Sequence, residues 1–430
     1  MNNTSCTIVN EIKNNRIPLT AFIMLTSRCN FYCKHCFLSP EKNAGNDISK
    51  EKWYEIFEIL KKQGTIFLIF SGGEPLCRED FSEIYETAFD MGFKIVLFTN
   101  ASLINEQQIA LFKSKPPYKI EISLYGMRSY TYECFCGIKI NHNDILRTIR
   151  NLVELGIKVK IKVVANKYNI DDLCDMRDFC KSLNLTLHIY RMILCDIYEN
   201  SDNTYVQLSD DEIIKTYLIN DDFCRLFVGF RKSAQDWDNG YLNCGAGISS
   251  CHIDNLGNLY LCNKCYFPKF SFFDGFKKSW DNIYYERKKK IEVTNSCSIC
   301  ERKYYCGKCT PILNTIQDKK YCIDIFDIAN KLGIPKEKCI QYHPNKDFHT
   351  RKMGKFYLLY SSLEEKSYLL NKTSWFIYNM LVKGYTLFET AIYLEQESNM
   401  IDSRNNILAD VVESAKKLET IGAIKRVILD

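Results

Sequence analysis

The chain has 430 residues, a length that corresponds to about three domains at roughly 150 residues each. Charged residues make up 25% of the chain and hydrophobic residues 46%, as in ordinary soluble globular proteins. The 57 basic and 52 acidic residues leave a net charge of +5, too small an excess to indicate a nucleic-acid-binding surface. No apolar run reaches the ~18 residues of a membrane-spanning helix, and residues 1–20 lack the apolar core of a secretory signal. We therefore expect a cytoplasmic protein with no nucleic-acid partner and no membrane partner.

The composition is unusual in cysteine, of which there are 21. Disulfides are rare in a reducing cytosol, so a good part of these thiols is expected to bind metal. Seven cysteines match no ligand spacing and are expected in the core, because cysteine is among the most buried residue types. These seven are Cys6, Cys77, Cys134, Cys136, Cys174, Cys180 and Cys195.

From residue 19 to about residue 190, short apolar runs alternate with amphipathic segments. The apolar runs are Ala21–Leu25, Ile66–Phe70, Lys94–Phe98, Lys119–Leu124, Lys158–Val164 and Thr186–Tyr190. The helical patterns between them are Lys50–Lys61, Asp80–Met91, Glu106–Phe112, Asp144–Leu155 and Asp171–Leu183. This alternation predicts an α/β fold with a parallel sheet, and six strands suffice for a partial, TIM-like (β/α)6 barrel.

The alternation stops near residue 196, and ten cysteines follow within residues 244–339. Periodicity is weak there, which is typical of a segment stapled by metal in place of an apolar core. Beyond residue 349 there is no cysteine. In that last part, the runs Phe356–Tyr360 and Tyr368–Leu370 predict a β-hairpin. Three helical patterns and a closing strand follow at Thr373–Val382, Leu387–Glu395, Asn405–Ile421 and Ile424–Leu429.

The expected organisation therefore has four parts. They are a barrel over residues 1–195, a bridging region over 196–243, a cysteine-rich domain over 244–349 and a small winged-helix-like α+β domain over 352–430.

Three thiols follow the first predicted strand at short spacing, as Cys29, Cys33 and Cys36. Three thiolates on one loop can hold three irons of a [4Fe–4S] cluster and leave the fourth iron open to another ligand. Unrelated buried thiols, or a structural zinc site that lacks a ligand, are the alternatives.

The Cys-x3-Cys-x2-Cys spacing in this position resembles the signature of the radical S-adenosylmethionine (radical SAM) superfamily. Ser71-Gly72-Gly73-Glu74, after the second predicted strand, resembles that family's Gly-Gly-Glu motif, which holds the methionine amino group of S-adenosylmethionine (SAM). Glycines permit close backbone approach to a ligand, and a carboxylate accepts hydrogen bonds from an ammonium group. By the same resemblance, further cofactor contacts are expected at His35, Thr99, Asn100 and Ser123. Ala101 and Tyr125 stand where the family more often has glycine and aspartate.

The second cysteine region resembles the SPASM extension of that superfamily, which carries two auxiliary [4Fe–4S] clusters. The matching sequence is Cys244-x12-Gly257-x4-Cys262, then Cys297-x2-Cys300-x5-Cys306-x2-Cys309, then Cys322. One spacing departs from the family pattern, because two residues instead of three separate the last close pair. The resemblance assigns Cys244, Cys262 and Cys309 to the first auxiliary cluster. It assigns Cys297, Cys300, Cys306 and Cys322 to the second.

Two ligand positions stay open. The fourth ligand of the first auxiliary cluster is expected to be Cys251, with Cys265, Cys224 or an open iron as alternatives, and Cys339 could replace Cys322. Two zinc ribbons are the alternative to iron–sulfur clusters, because Cys-x2-Cys pairs suit zinc equally well.

The segment from Tyr368 to Ile424 resembles the PqqD-like RiPP recognition element, a small domain that binds the leader of a ribosomally made peptide by adding it as a strand to a hairpin edge. A DNA-binding winged helix is the alternative. Acidic residues in the second and third helical patterns and between them make a poor surface for phosphates. They are Glu389, Glu395, Glu397, Asp402, Asp410, Glu413 and Glu419.

Together these resemblances imply a radical SAM enzyme that matures a ribosomal precursor peptide. They imply three [4Fe–4S] clusters, SAM, and an electron donor such as flavodoxin or ferredoxin. Our first hypothesis for the product is a thioether cross-link between a cysteine sulfur and a carbon atom. Carbon–carbon cross-linking, epimerisation, maturation of a sulfatase-type protein, or an iron–sulfur sensor that binds DNA are the alternatives.

Overall fold

The structure, a computed structural model, describes residues 11–38, 46–191, 193, 203–217, 219, 244–263, 265–288, 342–398 and 404–426. The described residues up to 288 belong to one compact unit, and those from 342 onward belong to a second. Among the described helices, none has the length and apolar character needed to cross a membrane.

The first unit is built on a parallel sheet with helices between its strands. Its first six strands are β1 (Thr20–Thr26), β2 (Phe67–Gly72), β3 (Lys94–Thr99), β4 (Lys119–Ser123), β5 (Val159–Val164) and β6 (Leu187–Tyr190). Its helices are α1 (Lys50–Lys62), α2 (Phe81–Asp90), α3 (Glu106–Ser114), α4 (Ser129–Cys136), α5 (His142–Glu154), α6 (Leu173–Ser182), α7 (Asp210–Tyr217) and α8 (Phe276–Lys288). The six strands pair in parallel in the order β6-β5-β4-β3-β2-β1. This confirms the predicted α/β fold with a parallel sheet.

The strands are apolar on both faces, but their burial alternates, as along β2, where Leu68 and Phe70 are buried and Phe67 and Ile69 are half-buried. Helix α1 packs on the more buried face. Helix α1 begins after Ser49, whose side chain accepts a hydrogen bond from the Lys52 backbone N–H, and it buries Trp53 and Phe57. The ring of Phe57 lies 6.0 Å from that of Phe70 on β2. Successive strand residues point to opposite faces, so the neighbours of Phe70 along β2 face away from α1.

Three short strands extend the sheet beyond β1, and the sequence did not predict them. They are β7 (Ser250–Ile253), β8 (Asn258–Tyr260) and β9 (Phe270–Ser271). Strand β7 pairs with β1 in parallel, while β8 and β9 continue antiparallel. Strands of two to four residues are too short to show an alternating pattern, which is why this region appeared to lack regular structure.

The register of β7 decides which of its residues share a face. Cys251 lies beside Ala21, and Ala21 lies beside Leu68 on β2. These three residues therefore share the face that α1 covers. His252 lies between Phe22 and Tyr260 on the opposite face.

The second unit combines a three-stranded sheet, a two-stranded pair and three helices. The strands are β10 (Tyr342–Pro344), β11 (Phe348–Met353), β12 (Phe356–Ser361), β13 (Ser367–Leu370) and β14 (Ile424–Arg426), and the helices are α9 (Lys372–Val382), α10 (Leu387–Ser398) and α11 (Arg404–Thr420). Strands β11, β12 and β13 form one antiparallel sheet in that order, and β14 pairs with β10.

The hairpin expected at residues 356–370 is present, but strand β12 is not an open edge. It pairs with β11 on one side and with β13 on the other. Within the described residues, the outer edges of this sheet belong to β11 and β13. The unit also begins earlier than the expected boundary at 352. Strand β10 and the first four residues of β11 lie upstream of it.

One acidic residue assigned to the surface of this unit is buried. Glu389 is 1% exposed. Its carboxylate Oε2 accepts a hydrogen bond from the Thr386 backbone N–H at 2.7 Å, while its own N–H donates to the Thr386 hydroxyl at 3.2 Å. It is thus half of a capping box at the start of α10, and it contributes nothing to surface charge.

Candidate functional site

The three motif cysteines lie on the loop that leaves the end of β1. Cys29, Cys33 and Cys36 are all half-buried. The Cys36 backbone N–H donates to the Cys33 carbonyl at 3.0 Å, and the Phe31 N–H donates to the Cys29 sulfur at 3.4 Å. The loop therefore follows the carboxyl end of a central parallel strand, where barrel enzymes carry their active sites.

Helix α4, which the sequence did not predict, braces this loop. The N–H groups of Tyr32 and Lys34 donate to the carbonyls of Cys136 and Phe135 at 2.7 and 3.0 Å. Gly137 ends the helix in the left-handed region at φ +63°, and a Cβ there would lie 3.1 Å from the Tyr32 Cβ. The cysteine loop thus uses backbone carbonyls at the end of α4 as acceptors.

A half-buried tyrosine lies near the thiols of this loop. Burial, followed by the nearby thiols of Cys33, Cys136, Cys29 and Cys36, raises the pKa of Tyr125 well above its ordinary value. Of the cysteines expected in the core, Cys136 and Cys180 are buried, Cys77 and Cys134 are half-buried, and Cys174 is exposed. No sequence pattern indicated that Cys136 lies near the motif cysteines.

The two motif glycines permit the second strand to approach this loop closely. The N–H groups of Gly73 and Glu74 donate to the carbonyls of Thr26 and Arg28, each at 2.8 Å. A Cβ on Gly72 would lie 2.2 Å from the Thr26 carbonyl oxygen, and one on Gly73 would lie 2.3 Å from that of Arg28. Both positions therefore require glycine, because the backbone that leads into Cys29 fills the space of a side chain.

Glu74 links the end of β2 to the end of β3. Its carboxylate is 1% exposed and accepts hydrogen bonds from the Thr99 hydroxyl at 2.8 Å and the Asn100 backbone N–H at 2.7 Å. Burial raises the pKa of Glu74 to about 7, and these hydrogen bonds oppose the rise. We expect Glu74 to accept a hydrogen bond from the ammonium group of SAM. In the structure its carboxylate also holds the ends of β2 and β3 together.

Asn100 in turn contacts the cysteine loop. Its side-chain Nδ2 donates to the Asn30 Oδ1 at 2.9 Å. The Ser102 hydroxyl donates to the Asn100 Oδ1 at 2.6 Å. The ends of β1, β2 and β3 are therefore joined by hydrogen bonds through Asn30, Glu74 and Asn100.

The other expected contact residues lie around the same end of the sheet. Ser71 lies beside Met24 in the register of β2 and β1, and Ser123 ends β4 beside Lys162 of β5. The ring of His35 stacks on Phe135 of α4 at 4.9 Å and 15°. The strand ends thus bring Ser71, Glu74, Asn100 and Ser123 to the edge of the sheet that carries the cysteine loop.

The three cysteine thiols of this loop are suitable ligands for an iron–sulfur cluster. Three thiols within eight residues are soft ligands of the kind that hold such clusters. Within the described part of the chain, no three His, Cys, Asp or Glu side chains stand at metal-binding positions. The fit therefore rests on the identity and order of the thiols.

The expected auxiliary ligands are only partly described. Cys297, Cys300, Cys306, Cys309 and Cys322, and the alternatives Cys224 and Cys339, lie outside the described residues.

Cys244 and Cys262 flank the β7–β8 hairpin at its open end. The turn that begins at Cys244 contacts the residue before Cys262, because a Cβ on Gly247 would lie 3.0 Å from the Leu261 side chain. The backbone N–H of Cys265 donates to the Cys262 carbonyl at 3.1 Å.

Cys251 lies on β7, between these two thiols in the chain. It is 1% exposed on the helix-covered face, and burial raises the pKa of its thiol to about 12. Tyr260 pairs with His252 and lies on the opposite face, and Cys262 follows two residues later, beyond the end of β8. The environment of Cys251 thus differs from that of Cys244, which is exposed, and of Cys262, which is half-buried.

Two groups of functional interest were missed by sequence reasoning. Asp172 is 1% exposed and accepts hydrogen bonds from the Met127 N–H and the Thr131 hydroxyl at 2.9 and 2.8 Å, which fixes the start of α4. Its ion pair with Arg128 measures 3.0 Å. These partners lie about 45 residues apart in the chain, and no local pattern links them.

The second missed group is a charged trio on the face of the sheet opposite α1. Glu121 forms ion pairs with Lys119 and Lys162, and the Lys162 ammonium lies over the Phe98 ring. Burial lowers the pKa of Lys162 to about 8, and Glu121 opposes this.

The chain resembles known proteins over the same region. The Radical SAM superfamily matches residues 23–180. The Fe-coproporphyrin III synthase of Methanosarcina barkeri is 33% identical over 164 residues, which are 38% of this chain and 41% of that relative. The mycofactocin maturase MftC of Mycobacterium ulcerans is 27% identical over 301 residues, 66% of this chain and 80% of that protein. The chain thus spans less than half the length of the first relative and about four fifths of the second.

A solved structure supports the fold. Streptococcus suis SuiB bound to its precursor peptide SuiA aligns with a TM-score of 0.57 and 18% identity, over 74% of this chain and 78% of that one. A likeness at this identity concerns the fold alone. Radical SAM domains use a [4Fe–4S] cluster and SAM, and the matched residues include the three-cysteine loop and the glycine pair. Residues 23–180 of this chain are therefore similar to the Radical SAM superfamily in sequence.

Proposed function

We propose that the chain is a radical SAM enzyme that modifies a ribosomally made precursor peptide. The observation that carries this proposal is the cysteine loop at the carboxyl end of β1, held by the Gly73 and Glu74 backbone on one side and by α4 on the other. MftC is named a maturase and SuiB was solved with a precursor peptide, which supports a peptide as the substrate.

The residues of the site would divide the work as follows. Cys29, Cys33 and Cys36 would hold the cluster, and the Gly72–Glu74 backbone would lie beside the bound SAM. When bound, the cluster supplies one electron to SAM and yields a 5′-deoxyadenosyl radical that removes a hydrogen atom from the substrate. The protein's part is to position the groups and exclude water, and the buried Glu74 and Asn100 keep the strand ends fixed.

The C-terminal unit would bind the leader of the peptide. A peptide can extend a sheet only at an edge strand, and β12 is internal. Strand β13, which leads into α9, offers such an edge, and exposed Leu369 lies on it. We therefore propose that the leader pairs with β13. Strand β12 has no open edge, because it lies between β11 and β13.

The proposed product is a thioether. The substrate carbon loses its hydrogen atom to the 5′-deoxyadenosyl radical. A cysteine thiol of the peptide would lose a proton and its sulfur would bond to the carbon, which leaves one surplus electron for an acceptor. An auxiliary cluster would supply that acceptor. The peptide thus loses two hydrogen atoms per cross-link, and Cys244 and Cys262, together with cysteines of the 297–322 segment, would hold the auxiliary clusters. An external flavodoxin or ferredoxin would supply the first electron.

Short peptides encoded next to the gene are the substrates to test. Each is incubated without oxygen with the reconstituted enzyme, SAM and a reductant, and its mass is measured. A peptide that loses two hydrogen atoms, with one cysteine no longer alkylated by iodoacetamide, supports a thioether. The same mass loss with all thiols free indicates a carbon–carbon bond, and an unchanged mass with deuterium incorporation from solvent indicates epimerisation. No modified peptide in any of these assays would contradict the proposed substrate class.

Leader binding is tested separately by deleting residues 342–430. We expect the truncated chain to lose affinity for the full precursor and to keep peptide-independent SAM cleavage, because the expected cofactor contacts all lie upstream of residue 342. Unchanged affinity for the precursor would exclude the C-terminal unit as the leader-binding site.

A tetrapyrrole is the second candidate substrate, since the relative with 33% identity is an Fe-coproporphyrin III synthase. A synthase is named for its product, so the test is incubation with other iron tetrapyrroles under the same conditions. Formation of iron coproporphyrin III, seen by mass and absorption spectrum, favours the tetrapyrrole.

A further inference from the structure

Helix α8 ends with a buried arginine at the turn that carries Cys244. The buried face of this helix consists of Phe276, Ser279, Trp280, Ile283 and Arg287. Ile283 and Arg287 both lie against the 244–250 turn, because a Cβ on Gly247 would be 3.2 Å from the Ile283 side chain and 3.6 Å from the Arg287 Cδ. Arg287 is only 8% exposed.

The guanidinium group of Arg287 contacts the thiol directly. Its Nη1 lies 3.7 Å from the Cys244 sulfur and donates a hydrogen bond to the Ala246 carbonyl at 2.7 Å. The hydrogen bond to Ala246 fixes the guanidinium group in place, since it anchors the same nitrogen to the turn two residues after Cys244. The contact with Cys244 directs an N–H donor at the sulfur.

A buried cation changes the energy of the groups that it touches. Arginine stays protonated throughout the ordinary pH range, and its charge is screened less when buried than at the surface. It therefore favours negative charge on a neighbouring sulfur, and hydrogen bonds from charged donors are about twice as strong as neutral ones. Hydrogen bonds to the sulfurs of an iron–sulfur cluster are among the determinants of its reduction potential.

We infer that Arg287 raises the reduction potential of the auxiliary cluster that Cys244 would hold. The reduced cluster carries one more negative charge than the oxidised one, so a nearby cation stabilises the reduced form. This inference rests on the proposed function, in which that cluster accepts the surplus electron from the peptide. A higher potential makes the cluster a better acceptor for that electron.

The test uses the full chain with Cys29, Cys33 and Cys36 replaced by Ala, so that only auxiliary iron remains. After anaerobic reconstitution, a redox titration followed by electron paramagnetic resonance measures the midpoint potentials. We expect Arg287→Met, which removes the charge but keeps much of the volume, to shift one midpoint potential downward. Arg287→Lys keeps a positive charge and should recover part of the shift. Lys288→Met removes the same charge from the exposed neighbouring position and should leave the potential unchanged.

The outcomes distinguish the role of Arg287 from the presence of the auxiliary clusters. An unchanged potential in Arg287→Met with intact iron content overturns the role of Arg287, as would an equal downward shift in Lys288→Met. If Arg287→Met fails to retain iron, Arg287→Gln keeps an N–H donor without the charge, and an unchanged potential there also overturns the inference. Absence of iron from the parent triple variant would instead contradict the auxiliary clusters themselves.

Discussion

At the scale of single residues, the site depends on two positions where only glycine fits. The sequence indicated Gly72 and Gly73 as cofactor contacts through their resemblance to a family motif. The structure adds a second requirement, because the backbone of Thr26 and Arg28 occupies the space of their side chains. That partner lies about 45 residues upstream, and no local pattern could identify it.

The first prediction concerns Gly73→Ala. The new methyl group would lie 2.3 Å from the Arg28 carbonyl oxygen, and overpacking of this kind costs about 1–3 kcal/mol. If the strain falls on the cofactor site, SAM affinity should fall by roughly ten- to a hundredfold, measured by anaerobic calorimetry. Gly92→Ala is the control, because it meets no atom within 4 Å and carries only the strain of its φ of +92°. Equal effects of the two substitutions would show that the close approach at Gly73 is unimportant.

The second prediction concerns the pH dependence of stability through Glu74. Burial raises its pKa from 4.5 to about 7, so between these values the folded chain holds a proton that the unfolded chain has released. This stabilisation is complete below pH 4.5 and is lost as the pH rises through 7, up to about 3 kcal/mol in total.

The measurement compares thermal unfolding at pH 5.5 and pH 7.5. Glu74→Gln cannot ionise and should unfold with a smaller difference between the two pH values than the natural chain. Glu83→Gln, whose side chain is 60% exposed, is the control and should behave like the natural chain. An identical pH dependence in Glu74→Gln and the natural chain would contradict the raised pKa.

At the scale of elements, the apolar pattern of an element decided whether the sequence could predict it. The six strands β1–β6 and five of the helices between them were predicted within a few residues of their observed bounds, because apolar strands alternate there with amphipathic helices. Helix α4 has eight residues, Ser-Tyr-Thr-Tyr-Glu-Cys-Phe-Cys, and most of these have modest helix propensity. Its carbonyls brace the cysteine loop, so the missed element is part of the site.

The third prediction tests this brace through Asp172→Ala. The change leaves the Met127 N–H and the Thr131 hydroxyl without their acceptor, at a cost of about 1–3 kcal/mol for each buried group left unsatisfied. The start of α4 should loosen, and iron should leave the reconstituted cluster several-fold faster when a chelator is added. Asp178→Ala, on the exposed side of α6, should lose iron at the natural rate. Retention of iron at the natural rate in Asp172→Ala would show that α4 does not stabilise the loop.

The register of β7 leads to a fourth prediction, which concerns the auxiliary ligands. The sequence favoured Cys251 because it lies between Cys244 and Cys262 in the chain. Position in the chain does not reveal the face of a strand, and β7 turns Cys251 toward the helix-covered side. Cys251→Ala should therefore retain the auxiliary iron, whereas Cys262→Ala should lose it, as measured by iron analysis of the variants. Loss of iron in Cys251→Ala equal to that in Cys262→Ala would restore Cys251 as a ligand.

At the scale of the whole molecule, the two described units divide the proposed work. The first carries the cysteine loop and the glycine pair, and the second carries a small sheet with an edge at β13. The sequence predicted the helices of the second unit and its hairpin, because their patterns are long and regular. It missed β11, whose six residues Phe-His-Thr-Arg-Lys-Met include mostly polar side chains, and this strand changes which edge a peptide could use.

The central claim is that the chain uses its cysteine loop to cleave SAM reductively. The direct measurement is the formation of 5′-deoxyadenosine after anaerobic incubation of the reconstituted full chain with SAM and dithionite. We expect 5′-deoxyadenosine from the natural chain and none from the variant in which Cys29, Cys33 and Cys36 are replaced by Ala. A natural chain that holds its [4Fe–4S] cluster and binds SAM, yet forms no more 5′-deoxyadenosine than this variant with or without peptide, would contradict the claim.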